Sequence, residues 1–123
     1  MKIDISKKGI YHIFRIEEDL NIISDLSELR ILILGYLHQG KNNIAISFTN
    51  TSYIYSGAIA VLVDCYKQIR DGKGRFCIIE SIPEIVRFFN YLKLDKIFPI
   101  YTNLDDLINE TNQKSGHESE ILY

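Results

Sequence analysis

The chain is expected to fold as a single α/β domain with a mixed sheet, an initial antiparallel hairpin followed by parallel strands, covered by about four helices. Three observations lead there. With 123 residues the chain can bury one real core and has too little length for a second. After two adjoining strand-like segments, short apolar runs alternate with stretches of helical periodicity. Between Ile44 and Leu62 the run IAISFTNTSYIYSGAIAVL passes from a buried strand through a polar turn into the start of a helix.

Met1 to Ser6 and Ile10 to Ile16 read as strands around the turn Lys7-Lys8-Gly9, a hairpin at one edge of the sheet. Ser24 suits the N-cap of a helix reaching about Leu37, because Leu26, Leu29, Ile33, Leu34 and Leu37 recur at helical spacing and Gly40 follows as a stop. Ile44 to Thr49 is a central strand, with Ile44, Ile46 and Phe48 on one face and Ala45, Ser47 and Thr49 on the other. From Gly57 the pattern is helical to about Arg70, ending at Asp71-Gly72. Arg75 to Glu80 carries Phe76, Cys77, Ile78 and Ile79 in succession, as a parallel strand buried on both faces does. Ser81-Ile82-Pro83-Glu84 has capping-box spacing with proline where no amide is needed, and opens a helix bearing Ile85, Val86, Phe88, Phe89 and Leu92. Ile97 to Tyr101 is a last short strand. Thr102-Asn103-Leu104-Asp105 repeats the box before a final helix with Leu104, Leu107 and Ile108. The domain is expected to span residues 1–111, with 112–123 as a flexible polar C-terminal tail.

Composition excludes several function classes. A formal net charge of -2 gives no positive field of the kind nucleic acid requires. The N-terminus lacks the apolar core of a signal peptide and no apolar run reaches spanning length, so a cytoplasmic protein without membrane insertion is expected. Cys65 and Cys77 have no metal-ligand spacing and read as reduced core thiols. His12, His38 and His117 fall in separate settings, so neither a metal site nor a Ser-His-acid triad can be built. With no nucleophile–base pair, paired carboxylates or Gly-rich phosphate loop, the expectation is a non-enzymatic protein without cofactors.

The functional reading rests on Ser56. It stands where the helix begins, and the amides of a first helical turn have no intrahelical partner, so the position suits either a hydroxyl N-cap or a phosphorylated serine. Gly57 and Ala60 leave the surface beside it bare, and helical spacing puts Ala60, Asp64 and Lys67 in line with Ser56 as a docking strip. Tyr53 and Tyr55 flank it with rings suited to a partner interface. Lys67, Arg70, Lys73 and Arg75 gather at the other end of the helix and read as a solvated cationic terminus.

Over about residues 3 to 110 the sequence resembles the STAS domain, whose founding members are bacterial anti-sigma-factor antagonists. The resemblance is carried by IAISFTNTSYIYSGAIAVLVDCYKQIRDGKGRFCII and by SIPEIVRFFNYLKLDKIFPIYTNLDDLI. In antagonists of this family the corner reads Asp-Ser-Ser-Gly, and an anti-sigma factor that is also a serine protein kinase phosphorylates the first serine. Here the aligned stretch is Tyr55-Ser56-Gly57-Ala58, so the resemblance implies Ser56 as the phosphorylation site, with tyrosine replacing the family aspartate. A further family aspartate aligns with Asn21. Asn21, Tyr53, Tyr55, Ser56, Gly57, Ala60, Asp64 and Lys67 are therefore the expected partner-binding residues. Other small STAS proteins sit on the ATPase of membrane lipid transporters and need no phosphoserine. A transporter ATPase is thus the alternative partner, and homodimer formation is left open.

Overall fold

The computed structural model describes residues 2–17, 26–48 and 54–110. The expectations attached to Asn21, Tyr53, His117 and the tail fall outside these residues. Five strands form one sheet in chain order: β1 (Ile3–Lys8), β2 (Tyr11–Ile16), β3 (Asn43–Phe48), β4 (Arg75–Ile79) and β5 (Ile100–Tyr101). The β1–β2 pair is antiparallel and every later pair is parallel, as expected. Helices α1 (Ser27–His38), α2 (Ser56–Asp71) and α3 (Pro83–Tyr91) follow β2, β3 and β4, a short 3₁₀ turn spans Leu94–Lys96, and α4 occupies 104–110.

Alternation along the strands divides the core between the two faces of the sheet. Phe14, Ile16, Ile44, Ile46, Phe48, Phe76 and Ile78 pack with Leu29 and Ile33 of α1, Leu62 and Ile69 of α2, and Ile85 and Phe89 of α3. On the other face a smaller cluster joins Tyr11, Ile13, Ala45, Cys77 and Ile79 to Leu107 of α4. The expected two-sided burial of β4 follows from this division. Cys65 and Cys77 are free, buried thiols, and desolvation pushes the pKa of each up to about 12, so neither is a nucleophile at neutral pH.

Several boundaries differ from the sequence reading. Lys7 and Lys8 belong to β1, because the hairpin closes through the two residues Gly9 and Ile10 with Gly9 at φ 58. A positive φ at the first loop position matches the twist of the flanking strands, which the longer turn would not. The cap of α1 is Leu26 in a left-handed conformation (φ 59), fully buried, and not Ser24. Burial of Leu26 fixes the chain's entry where a hydroxyl was expected to do so. At the other end of α1, Gly40 (φ 77) stops the helix as expected, with Lys41 N–H donating to Tyr36 O and Gly40 N–H to Leu37 O. The cap of α3 is Ile82, one residue beyond Ser81, with proline at the first position. For α4 the cap is Asn103, whose Oδ1 accepts from Asp106 N at 2.9 Å, one residue beyond Thr102. The last strand is shorter than Ile97 to Tyr101, because Leu94 to Phe98 turns in a helical ladder that puts Leu94 and Phe98 into the core.

The join between α2 and β4 is tight. Lys73 takes the left-handed position (φ 61), and a Cβ on Gly74 would overlap the carbonyl oxygen of Asn42 at the entry to β3. Gly74→Ala is therefore expected to lower stability by about 2 to 3 kcal/mol in urea unfolding. Gly35→Ala is the contrasting case: that glycine is exposed in the middle of α1, an added methyl would meet open space, and the change should raise stability by about 0.5 to 1 kcal/mol. Equal effects of the two substitutions would contradict this packing.

Candidate functional site at the start of α2

Parallel pairing brings the C-terminal ends of β2, β3 and β4 to one pole of the sheet, and α2 begins there. Ile54 is fully buried in the helix-covered core and anchors the chain just ahead of the helix. Tyr55 follows half-buried in an extended conformation (φ -87, ψ 162) and is the N-cap; its carbonyl accepts from Ile59 N at 3.1 Å. Ser56 is thus the first helical residue. The reading of Ser56 as an N-cap is corrected accordingly: the anchoring of Ile54 moves the helix start one residue earlier. The Tyr55 side chain makes no cap hydrogen bond, and the first turn of α2 carries no acidic residue. The helix therefore presents its positive end next to an exposed hydroxyl.

Buried Ala58, Leu62, Cys65 and Ile69 turn one side of α2 to the core, leaving Ser56, Gly57, Ala60 and Lys67 exposed. Asp64, in line with them, is half-buried, and its Oδ2 accepts from Arg30 Nε of α1 at 2.6 Å. The strip runs bare from Ser56 to Ala60 and is then crossed by an ion pair to the neighbouring helix. The guanidinium of Arg30 is held protonated more firmly by that hydrogen bond. Both side chains keep about two-fifths of their surface in water, so the pair fixes geometry more than it adds stability.

A protein-family profile described as the STAS domain matches residues 3–107. The chain belongs to the STAS domain family. Among solved structures, the Thermotoga maritima protein TM1081 has a TM-score of 0.75 at 21% identity, covering 91% of this chain and 90% of that one. An anti-sigma factor antagonist from Mycobacterium paratuberculosis has a TM-score of 0.73 at 17% identity, with 89% and 92% covered. The Bacillus cell fate determinant SpoIIAA in its phosphorylated form has a TM-score of 0.67 at 15% identity, with 89% and 99% covered. Comparison with curated protein sequences finds no match.

Three residues of this STAS domain escaped the reading of the sequence as parts of the site. Ile54 lay between two tyrosines and gave no periodic signal. Arg30 belongs to another helix, and nothing in a linear pattern pairs it with Asp64. Glu80 ends the apolar run of β4, where an acidic residue reads as the edge of a strand. It is nevertheless only 1% exposed. Its Oε1 accepts from Ile82 N at 3.0 Å, while Oε2 is buried and has no hydrogen-bond partner among the described residues. Pairing of Ser47 with Ile79 sets Glu80 one residue further along, at the pole where α2 starts.

Burial raises the Glu80 pKa, against the opposing effect of the Ile82 and Ser81 amides, which favour the ionised form. The stability lent by a neutral Glu80 is fully present below its ordinary value of 4.5 and is lost as pH rises through the raised folded value. Glu80→Gln keeps the acceptor for Ile82 N–H and removes the ionisation. Relative to wild type, its urea midpoint should improve as pH is raised from about 4.5 through the raised folded value and then level off. A difference that stays flat over that interval would show an ordinary carboxylate.

Proposed function

We propose that this STAS domain is a non-catalytic regulatory binding module of the anti-sigma-factor-antagonist kind, which engages a kinase-type anti-sigma factor in the cytoplasm and frees its sigma factor. The observation that carries the reading is the exposed Ser56 hydroxyl in an acid-free first turn whose N-cap, Tyr55, makes no side-chain cap bond. The fold shared with solved anti-sigma factor antagonists supports it, SpoIIAA having been solved in both phosphorylated and unphosphorylated forms.

On this reading the partner docks on Tyr55, Ser56, Gly57 and Ala60, where small residues let a backbone approach, with Asp64 and Lys67 at the rim. Phosphorylation of Ser56 adds about -1.5 to -2 charges and three acceptor oxygens. The domain itself tolerates the group, because the helix dipole favours an anion in the first turn by roughly 0.3 to 1 kcal/mol. A packed interface does not tolerate it. A loss of about 3 kcal/mol on desolvating the phosphate corresponds to roughly 150-fold in affinity, enough to release the partner. Tyr55 replaces the family aspartate, so the kinase would recognise an aromatic residue before the serine. The kinase would bring ATP and magnesium, and the domain needs no cofactor.

Affinity capture from the source cells, with wild-type bait beside Ser56→Asp, tests the reading. A kinase-like anti-sigma factor should be retained by wild type and lost with the aspartate, and mass spectrometry of the endogenous protein should find phosphate on Ser56. Retention of a transporter ATPase by both baits would overturn it and make the protein a transport subunit.

A further inference from the structure

The cations at the far end of α2 have no part in the Ser56 reading, yet the structure gives two of them a setting that a merely solvated terminus lacks. Arg70 and Arg75 line a cleft of about 430 Å³ at the opposite pole of the sheet, together with Tyr66 of α2, Tyr11 of β2, Tyr101 of β5 and Phe76 of β4. That volume is of the size that small-molecule sites have. The cleft exists because β5 is short: it pairs only with Ile78 and Ile79 and leaves the first half of β4 without a neighbour on that side.

The open strand edge supplies a third donor. Ile78 and Glu80 donate their amides towards β5, to Pro99 O at 3.0 Å and Tyr101 O at 2.9 Å, whereas Arg75 N donates the other way, to Asn42 O at 3.2 Å. Alternation therefore turns the Phe76 N–H to the β5 side, ahead of where β5 begins, and no backbone acceptor pairs with it among the described residues. Phe76 itself is only 5% exposed, and an unpaired amide at a buried residue invites an acceptor.

The charges around the cleft are compatible with an anion. Among the described residues Arg75 forms no ion pair, and Arg70 meets only the adjacent, exposed Asp71 at 3.7 Å while lying 5.5 Å from the centroid of the Tyr66 ring. The negative end of α2 is covered, since Gln68, Ile69 and Arg70 carbonyls accept from Gly72, Gly74 and Lys73 amides. Glu110 of α4 is the acid on the β5 side, and its carboxylate accepts the Tyr101 hydroxyl.

We propose that this cleft binds a small organic anion, a carboxylate or phosphate monoester carried on a flat ring. The anionic group lies between the Arg70 and Arg75 guanidinium groups and the Phe76 N–H, and the ring lies against the tyrosine walls. Site and control residue then occupy opposite poles of one helix.

The test is an amide ¹H–¹⁵N NMR titration of the full chain with phenyl phosphate and, separately, phenylacetate, which distinguishes the two anionic groups, and with inorganic phosphate as a ringless control. Saturable shifts are expected at Arg75, Phe76 and Tyr101 and not at Gly57, for at least one of the two ring compounds, with inorganic phosphate about 10-fold weaker or more. Arg75→Gln and Arg70→Gln, both at exposed positions, should each weaken binding about 10-fold while leaving the remaining spectrum in place. Absence of saturation with both ring compounds, shifts centred on the start of α2, or unchanged affinity in both arginine variants would overturn the proposal.

Discussion

Burial of β3 and β4 on both faces is the constraint from which the rest of this domain follows. Ile44, Ile46 and Ile78 must be covered on one side and Ala45, Cys77 and Ile79 on the other. Parallel pairing meets that need only if each connection crosses back over the sheet as a helix. Since β2, β3 and β4 all point one way, α1, α2 and α3 all begin at the same pole and end at the other. The polarity of the molecule is thus a product of strand burial: helix starts and the serine corner at one end, helix ends, cations and the aromatic cleft at the other.

Strand burial was legible in the sequence because it leaves a periodic trace. The alternation in Ile44 to Phe48, the unbroken run Phe76 to Ile79 and the helical spacing of the intervening segments are sufficient to give a mixed sheet with parallel later strands. Helix starts were less legible, and for one recurring reason. Ser24, Ser56 and Ser81 each looked like a capping residue, and the structure gives the cap position to Leu26, Tyr55 and Ile82, none with a side-chain cap bond. Where a helix packs on the large core face, an apolar residue sinking into that core decides where the chain turns; Leu26 and Ile54 are both fully buried. Asn103, ahead of α4 on the smaller cluster, does cap by its side chain. Capping chemistry is worth about 1 kcal/mol, and burying a large aliphatic side chain is worth about 1.5 to 3, so the apolar anchor prevails when the two compete.

The candidate site was legible in its covalent handle and illegible in its surroundings. Ser56 stood out because a small polar residue followed a strand and preceded a helix. Arg30 and Glu80 could not stand out, since Arg30 joins the site through an ion pair between helices distant in sequence and Glu80 reaches that pole only through the register of β4 against β3. The aromatic cleft has the same origin. Its tyrosines come from β2, α2 and β5, and only the shortness of β5, which no pattern in Ile97 to Tyr101 announces, leaves room for it.

The exposed place of Ser56, one position past its cap, has a consequence for how this residue can change over evolutionary time. The helix does not use the hydroxyl to begin, and the core does not touch it. Folding therefore exerts almost no selection on position 56, in contrast to Gly74, where any side chain collides with the backbone. Serine persisting at the one position would record an obligation to something outside the domain, and glycine persisting at the other would record only the domain's own geometry. Across related chains the two positions should consequently drift under different clocks.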